Sequence, residues 1–180
     1  MISPLDPAWV ATAPNLAPLE SAWLYDQGSL TRRLQALAHG AFSVVPLRQG
    51  WETLREDECL ALGLPAQNLG WVREVFLCGE GARWVFARSV AARAALEDAG
   101  FALAQLGSRS LGELLFCDPA FTRQPIEVCR YPSAWLPESC QLEGLWARRS
   151  RFDQEALSLL VAEVFLPPLW DEAVKSMGEP

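Results

Sequence analysis

The segment from Trp71 to Arg88 constrains the fold more than any other, because two runs of β-branched and aromatic residues flank the sequence Gly79-Glu80-Gly81. Two such runs around a short glycine-containing turn predict an antiparallel β-hairpin. With Glu80-Gly81 as the turn, the predicted pairs are Leu77 with Trp84, Val75 with Phe86 and Arg73 with Arg88. Side chains alternate across a strand, so both arginines are expected among apolar residues on one face.

Two guanidinium groups on an apolar face need compensation, because burying a charge is costly unless it is paired or hydrogen-bonded. One interpretation is an anionic ligand, most simply a small molecule that carries carboxylates. The other is that each arginine pairs with a protein acid, such as Glu74, Glu80 or Glu163, or extends to the rim of the sheet. The hairpin by itself leaves both interpretations open.

Length and composition predict a single domain over residues 1–180, with residues 168–180 as a peripheral tail. A formal charge of -7 and a pI near 4.8 argue against binding to nucleic acids or anionic membrane surfaces, which need basic patches. No apolar run approaches the roughly 20 residues of a membrane helix, and the first residues lack the pattern of a signal peptide. We therefore expect a cytoplasmic protein without membrane insertion. No uncovered apolar stripe stands out, so we also expect a monomer.

The cysteines and the single histidine argue against a metal or triad mechanism. The five cysteines are Cys59, Cys78, Cys117, Cys129 and Cys140, an odd number without a CxxC pair, which predicts reduced thiols. His39 stands beside Gly40 at the end of a predicted helix, where an imidazole can interact with the last carbonyls. Without a second histidine, neither a Ser-His-acid triad nor a histidine metal site is available. We therefore expect chemistry by carboxylates, arginines, backbone amides and shape, with no metal.

The order of predicted helices and strands favours the α+β class. The predicted helices cover residues 19–25, 30–39, 56–62, 89–99 and 111–116. Outside the hairpin, the predicted strands cover residues 41–47, 126–130, 145–152 and 157–166, the last two joined by a turn at 153–155. The expected architecture is a single antiparallel β-sheet with helices packed on one side.

Glu163 is a third polar residue in an apolar row, because it shares its predicted strand face with Leu157, Leu159, Val161 and Phe165. A buried carboxylate can act as an acid, a base or a hydrogen-bond partner of a ligand hydroxyl. The structural interpretation is a salt bridge, for which the candidate partners are Arg73, Arg88, Arg148 and Arg149. The residues alone do not decide between these roles.

An ordered set of segments resembles the chorismate lyase family. The similar segments are SLTRRL at Ser29, WVREVFLC at Trp71, ARSV at Ala87, SLGELLF at Ser110, FTRQPIEV at Phe121, LWARRSRF at Leu145 and LLVAEVFLP at Leu159. The resemblance implies an antiparallel sheet with a closed cavity and the conversion of chorismate to 4-hydroxybenzoate and pyruvate, without metal or organic cofactor. It also implies the first committed step of ubiquinone biosynthesis.

The resemblance further implies five site residues. Arg73 corresponds to the arginine that holds the ring carboxylate, and Leu111 to a leucine whose backbone contacts that carboxylate. Glu163 corresponds to the glutamate near the ring hydroxyl, and Arg88 to a second cavity arginine, to which we assign the enolpyruvyl carboxylate. Leu30 occupies a cavity-covering position that the family usually fills with methionine. Whether Glu163 moves a proton or only accepts a hydrogen bond stays open.

A non-catalytic sensor of a small aromatic acid is the alternative function, since effector domains of some bacterial transcription regulators resemble this fold. Such regulators usually carry a helix-turn-helix segment in front of the effector domain, and only a short leader with prolines precedes Ser29. A purely structural protein would leave the polar residues in apolar rows unexplained. We therefore expect a lyase.

Overall fold

The computed structural model describes residues 6–99, 108, 110–117 and 119–178, and its centre is one antiparallel β-sheet. The strands are β1 (Phe42–Thr53), β2 (Leu69–Gly79), β3 (Ala82–Ala92), β4 (Thr122–Arg123), β5 (Glu127–Arg130), β6 (Trp146–Gln154) and β7 (Leu157–Phe165). They lie in the order β1-β2-β3-β7-β6-β4, and β5 also pairs with β6. The helices are α1 (Pro18–Leu24), α2 (Leu30–Leu37), α3 (Glu56–Leu62), α4 (Arg93–Ala99), α5 (Leu111–Cys117) and α6 (Pro167–Gly178). The predicted α+β class and single antiparallel sheet are confirmed.

The two faces of the sheet are covered differently. Helices α1, α2, α4, α5 and α6 pack on the face that carries Val75, Ala87 and Val161, here called the helix face. The opposite face carries Phe76 and Phe86 and is covered by the short α3 and by two 3-10 turns at residues 133–135 and 138–140. Both faces are apolar at their centres, so the sheet is buried on both sides.

The β2–β3 hairpin forms, but the predicted pairing of its two arginines is wrong. A β-bulge at Trp84 shifts the register by one residue, which sends every following side chain of β3 to the other face. Gly79 makes room for the bulge, since a Cβ at that position would overlap the Trp84 ring. The observed pairs are Leu77 with Val85, Phe76 with Phe86, Val75 with Ala87, Glu74 with Arg88 and Arg73 with Ser89.

Two element boundaries differ from the sequence prediction by more than two residues. β1 continues to Thr53 beyond a bulge between Pro46 and Arg48, and the proline is tolerated there because β1 is an edge strand. β3 continues to Ala92, so the helix expected from residue 89 begins only at Arg93. Pairing of Val90 and Ala91 with β7 outweighs the helix propensity of the alanine-rich segment.

The C-terminal segment is also different from the expected peripheral tail. It forms α6, in which Leu169 and Ala173 are buried against the core of the helix face. A 3.6-residue period places these two apolar residues on one side of the helix, and that side packs on the domain. The single-domain organisation over residues 1–180 stays a prediction. Within the described residues, no helix has both the length and the apolar character needed to cross a membrane.

Candidate active site

A cavity lies between the helix face of the sheet and helices α2 and α5. We call it the main compartment. Three predicted site residues, Arg73, Leu111 and Glu163, line it together. The other lining residues are Thr31, Val75, Leu77, Ala87, Ser89, Ser110, Gly112 and Val161. Arg73 and Glu163 are the two charged residues that line this compartment among the described residues.

Arg73 projects from β2 into the main compartment, where only 3% of its surface is exposed. Its neighbours along the strand face are Val75 and Leu77, so the guanidinium lies in an apolar wall. Burial lowers the pKa of Arg73. A carboxylate bound beside it would oppose that effect, because an opposite charge favours the charged form.

A second space adjoins the main compartment. We call it the side compartment. It shares Thr31, Gly112, Val161 and Glu163 with the main compartment. Its further lining residues are Leu30, Leu115, Phe116, Arg123, Arg148, Ser150 and Phe152. Leu30, the predicted cavity-covering residue, thus lines the side compartment, and Glu163 lies where the two compartments meet.

Glu163 forms a salt bridge with Arg148, its partner across the β6–β7 pairing. Arg148 Nε donates to Glu163 Oε2 over 2.7 Å, while Arg148 Nη1 donates to the carbonyls of Trp23 and Asp26. One of the partners that the structural interpretation named is therefore confirmed. Among the described residues, none donates a hydrogen bond to Glu163 Oε1, so that oxygen can accept one from a ligand.

Arg88 does not line either compartment, which corrects its prediction as a cavity arginine. The bulge at Trp84 turns Arg88 to the opposite face, where Nε and Nη2 donate to Glu58 over 2.5 and 3.0 Å and Nη1 donates to Glu74 over 2.8 Å. Burial alone would lower the pKa of Arg88, but the two carboxylates outweigh it and raise that pKa. For this arginine, pairing with a protein acid is the correct interpretation.

The ion pairs with Arg88 also shift the pKa values of Glu58 and Glu74. Burial would raise the pKa of Glu58 and of Glu74, but hydrogen bonds and charge from Arg88, and for Glu74 also from Arg48, lower both values. The cluster of Glu58, Glu74 and Arg88 is therefore a structural ion network on the opposite face. The sequence named Glu74 as a possible partner and missed Glu58, since no local pattern brings α3 over β3.

Arg123 is a site residue that sequence reasoning missed. It lies on the two-residue strand β4, and its Nε donates to Ser150 Oγ over 3.0 Å. Its guanidinium also lies near the rings of Phe116 and Phe152. Burial lowers the pKa of Arg123, and the charge of Arg148 adds to that effect. β4 is too short for an alternating pattern, so no periodicity marked this residue.

A hydrogen bond joins the two helical segments that cover the cavity. Thr31 of α2 and Ser110, directly before α5, have their hydroxyl oxygens 2.6 Å apart, and both side chains are buried. Ser29 caps α2 by accepting from the backbone N–H of Arg32, which fixes the start of that helix. The roof of the main compartment is thus held by a capped helix and a cross-helix bond.

Fold and cavity together define an α+β protein with a buried cavity between its sheet and two of its helices. The fold is similar to that of the effector domain of PhnF from Mycobacterium smegmatis, with a TM-score of 0.53, 13% identity and coverage of 79% of this chain and 91% of that one. The C-terminal domain of the histidine utilization repressor from Pseudomonas syringae gives a TM-score of 0.52 at 9% identity, covering 71% and 92% of the two chains. At such identities the likeness shows the fold alone.

A family model described as chorismate lyase matches residues 8–175, so the chain belongs to the chorismate lyase family. A relative from Pseudomonas fluorescens Pf-5, 64% identical over 91% of this chain and 89% of its own length, is named "Probable chorismate pyruvate-lyase". A relative with the same name from Pseudomonas aeruginosa UCBPP-PA14 is 65% identical over 88% of this chain and 89% of its own length. The resemblance identified from the sequence is confirmed.

Proposed function

We propose that this protein is a lyase that converts chorismate to 4-hydroxybenzoate and pyruvate. The observation that carries the proposal is that Arg73 and Glu163 line the same cavity in a chain that belongs to the chorismate lyase family. Chorismate presents a ring carboxylate and, at the opposite end of the ring, a hydroxyl. A cation and a carboxylate in an apolar cavity fit these two groups.

The reaction is an elimination that leaves an aromatic ring. The bond between the ring carbon C3 and the ether oxygen breaks, and C4 loses its hydrogen as a proton. The ring becomes that of 4-hydroxybenzoate, and the departing enolpyruvate takes up a proton to give pyruvate. Aromatisation supplies the driving force, so we propose that no metal or organic cofactor takes part.

Arg73 is proposed to bind the ring carboxylate through charge-assisted hydrogen bonds, which can be bidentate for a guanidinium. Leu111, the first residue of α5, lines the same compartment and limits the space around that carboxylate. Val75 and Val161 provide apolar surface for the ring. Fixed orientation in such a cavity can contribute on the order of 7–11 kcal/mol to lowering a barrier.

Glu163 is proposed to act at the hydroxyl end of the ring. Arg148 fixes the carboxylate through Oε2, and Oε1 is placed to accept the proton that C4 loses or a hydrogen bond from the neighbouring hydroxyl. The Glu163→Gln variant keeps the shape but cannot take up a proton. We expect kcat to fall by about 10²- to 10⁴-fold, as for loss of a general base. Near-normal turnover would leave Glu163 as a hydrogen-bond partner only.

The test of the proposed activity follows both products from purified protein and chorismate, with EDTA present. We expect 4-hydroxybenzoate, measured by absorbance, and pyruvate, measured by a coupled assay, to form in equal amounts and in proportion to the enzyme. Binding of chorismate or 4-hydroxybenzoate without product formation would instead support the sensor function. A monomer in the cytoplasm and a role in ubiquinone biosynthesis stay predictions from the sequence.

A further inference from the structure

Two arginines line the side compartment. Arg123 and Arg148 both line it, and it meets the main compartment at Glu163, whereas Arg73 lines the main compartment alone. Among the described residues, one arginine therefore lines the main compartment and two line the side compartment, and Glu163 lines both. With Arg88 on the opposite face, Arg123 and Arg148 are the candidates among the described residues to bind a second ligand carboxylate.

The chemistry of chorismate places its second carboxylate at the Glu163 end. The ether oxygen is attached to the ring carbon beside the one that carries the hydroxyl, so the enolpyruvyl group leaves the ring next to the hydroxyl and away from the ring carboxylate. With the ring carboxylate on Arg73 and the hydroxyl on Glu163, the enolpyruvyl group enters the side compartment. Its carboxylate then meets Arg123 or Arg148.

Arg148 is already committed to protein groups. It is 1% exposed, its Nε binds Glu163, and its Nη1 binds two backbone carbonyls. The hydrogen bonds of Arg123 go to uncharged groups. Nε donates to Ser150, and Nη1 donates to the carbonyls of Gln27 and, at 3.5 Å, of Asp26. Within the described residues, no carboxylate lies within 4.0 Å of Arg123, unlike the buried Arg88, Arg148 and Arg149.

Arg123 is also held in a fixed orientation. Phe116 and Phe152 lie 5.5 and 5.4 Å from its guanidinium carbon, and Ser150 fixes its Nε side. No described residue accepts a hydrogen bond from its Nη2, which leaves donors for a ligand. A guanidinium preorganised in this way loses little conformational entropy when it binds a carboxylate.

We propose that Arg123 binds the enolpyruvyl carboxylate of the substrate in the side compartment, and so determines specificity for a two-carboxylate substrate over its one-carboxylate product. The proposal rests on the proposed function. Arg123 then orients the departing enolpyruvate, while Arg73 binds a group that substrate and product share. Replacing Arg123 is therefore expected to weaken binding of the substrate alone. Replacing Arg73 is expected to weaken binding of both substrate and product.

The experiment compares wild type with Arg123→Gln by calorimetric titration of two ligands. 4-Hydroxybenzoate carries the ring carboxylate alone, and 3-(carboxymethoxy)-4-hydroxybenzoate carries a second carboxylate on an ether arm beside the hydroxyl, as chorismate does. We expect the affinity of Arg123→Gln for the dicarboxylate to fall about 10- to 100-fold, the usual cost of losing a charged hydrogen bond, and that for 4-hydroxybenzoate to change less than about twofold. The value of kcat/KM for chorismate should fall in the same range as the dicarboxylate affinity.

Arg93→Gln is the matched control, because Arg93 is exposed on α4 and pairs there with Glu97. It should leave both affinities and kcat/KM unchanged. Arg123→Lys keeps the charge but not the planar donors, so it should restore part of the dicarboxylate affinity; it also serves if Arg123→Gln does not fold. Equal losses for both ligands, or no loss for either, would overturn the proposal. A wild type that makes no product would refute the lyase function, and the titrations would still decide the role of Arg123.

Discussion

Arg73 and Arg88 lie on neighbouring strands and are equally buried, yet their surroundings differ in kind. Each is 3% exposed, but Arg73 faces the cavity and burial lowers its pKa, whereas two carboxylates raise the pKa of Arg88. The same residue type is thus proposed to bind a ligand on one face and stabilises the fold on the other. Replacing Arg73 should therefore weaken ligand binding, whereas replacing Arg88 should lower the stability of the fold.

The Arg73→Gln variant should lose affinity for 4-hydroxybenzoate. Removing a charged group from a dry site costs about 1.5–3 kcal/mol or more, which corresponds to a loss of at least about tenfold. Titration calorimetry measures this directly. Chemical denaturation of the same variant is the control and should show a smaller effect on folding. Unchanged product affinity would contradict the assignment of Arg73 to the ring carboxylate.

The Arg88→Met variant should instead lose stability, because it leaves Glu58 and Glu74 buried without their shared cation. Breaking a buried ion pair by removing one partner typically costs about 3–5 kcal/mol. Urea denaturation measures the change, and the additional replacement Glu58→Gln should recover part of it. A variant that is as stable as wild type but does not turn over chorismate would show that Arg88 belongs to the active site.

At the scale of elements, the sequence predicted the strands of both hairpins and most helices but not the register of β2 with β3. Alternation of apolar and polar residues marks a strand, whereas a bulge depends on how one large side chain, Trp84, packs over Gly79. That single residue decided which face Arg88 occupies. Similarly, β3 continues into an alanine-rich segment because β7 pairs with it, a tertiary effect that local propensity does not contain.

The sequence pointed to those candidate site residues that interrupt the alternating pattern of a strand. Arg73 and Glu163 interrupt apolar rows, so their residue types alone marked them, and the family resemblance added Leu30 and Leu111. Arg123 interrupts no such row, because β4 has only two residues and reaches the cavity through its pairing with β6. Its position follows from the three-dimensional arrangement and not from a pattern along the chain.

The hydrogen bond between Thr31 and Ser110 should govern how readily the cavity opens. Replacing Thr31 with valine keeps the shape but removes the bond between α2 and the start of α5. A net hydrogen bond contributes about 0.5–1.5 kcal/mol, so we expect 4-hydroxybenzoate to dissociate about 2- to 10-fold faster. Stopped-flow displacement measures this rate. The control is Thr53→Val, at the exposed end of β1, which should leave the dissociation rate unchanged. Equal dissociation rates in the two variants would show that the hydrogen bond does not limit opening.

At the scale of the whole molecule, the ion network predicts loss of stability in acid. The pKa values of Glu58 and Glu74 are lowered in the folded state from the ordinary value of 4.5. Their contribution is therefore complete above that value and is lost as the pH falls through the lowered folded-state values. Asp57 has the opposite effect on the pH dependence, because burial is the largest cause acting on its pKa and raises it. It is a single group against the two glutamates.

We therefore expect the urea midpoint to decrease as the pH is lowered from about 6 to 3, since two carboxylates must take up protons on unfolding. Arg88→Met is the matched control: without the shared cation, its midpoint should depend less on pH. A wild-type midpoint that is constant or rises over this range would contradict the description of the network.

The predicted monomer can be tested on one exposed surface of the sheet. β1 forms an edge strand and exposes Val45, Leu47 and Trp51. Exposed apolar residues on a sheet edge favour pairing with another chain, so this edge is where association would begin. Size-exclusion chromatography with light scattering should give the mass of one chain, 19.9 kDa. Twice that mass would refute the prediction.

The most direct test of the account is a crystal structure with 4-hydroxybenzoate bound. We expect the product between the helix face and helices α2 and α5, with its carboxylate within about 2.7–3.2 Å of the Arg73 guanidinium and its hydroxyl at that distance from Glu163. The side compartment beside Arg123 should lie beyond the hydroxyl. A ligand bound in the reverse orientation, or on the face of Arg88, would contradict the proposed site.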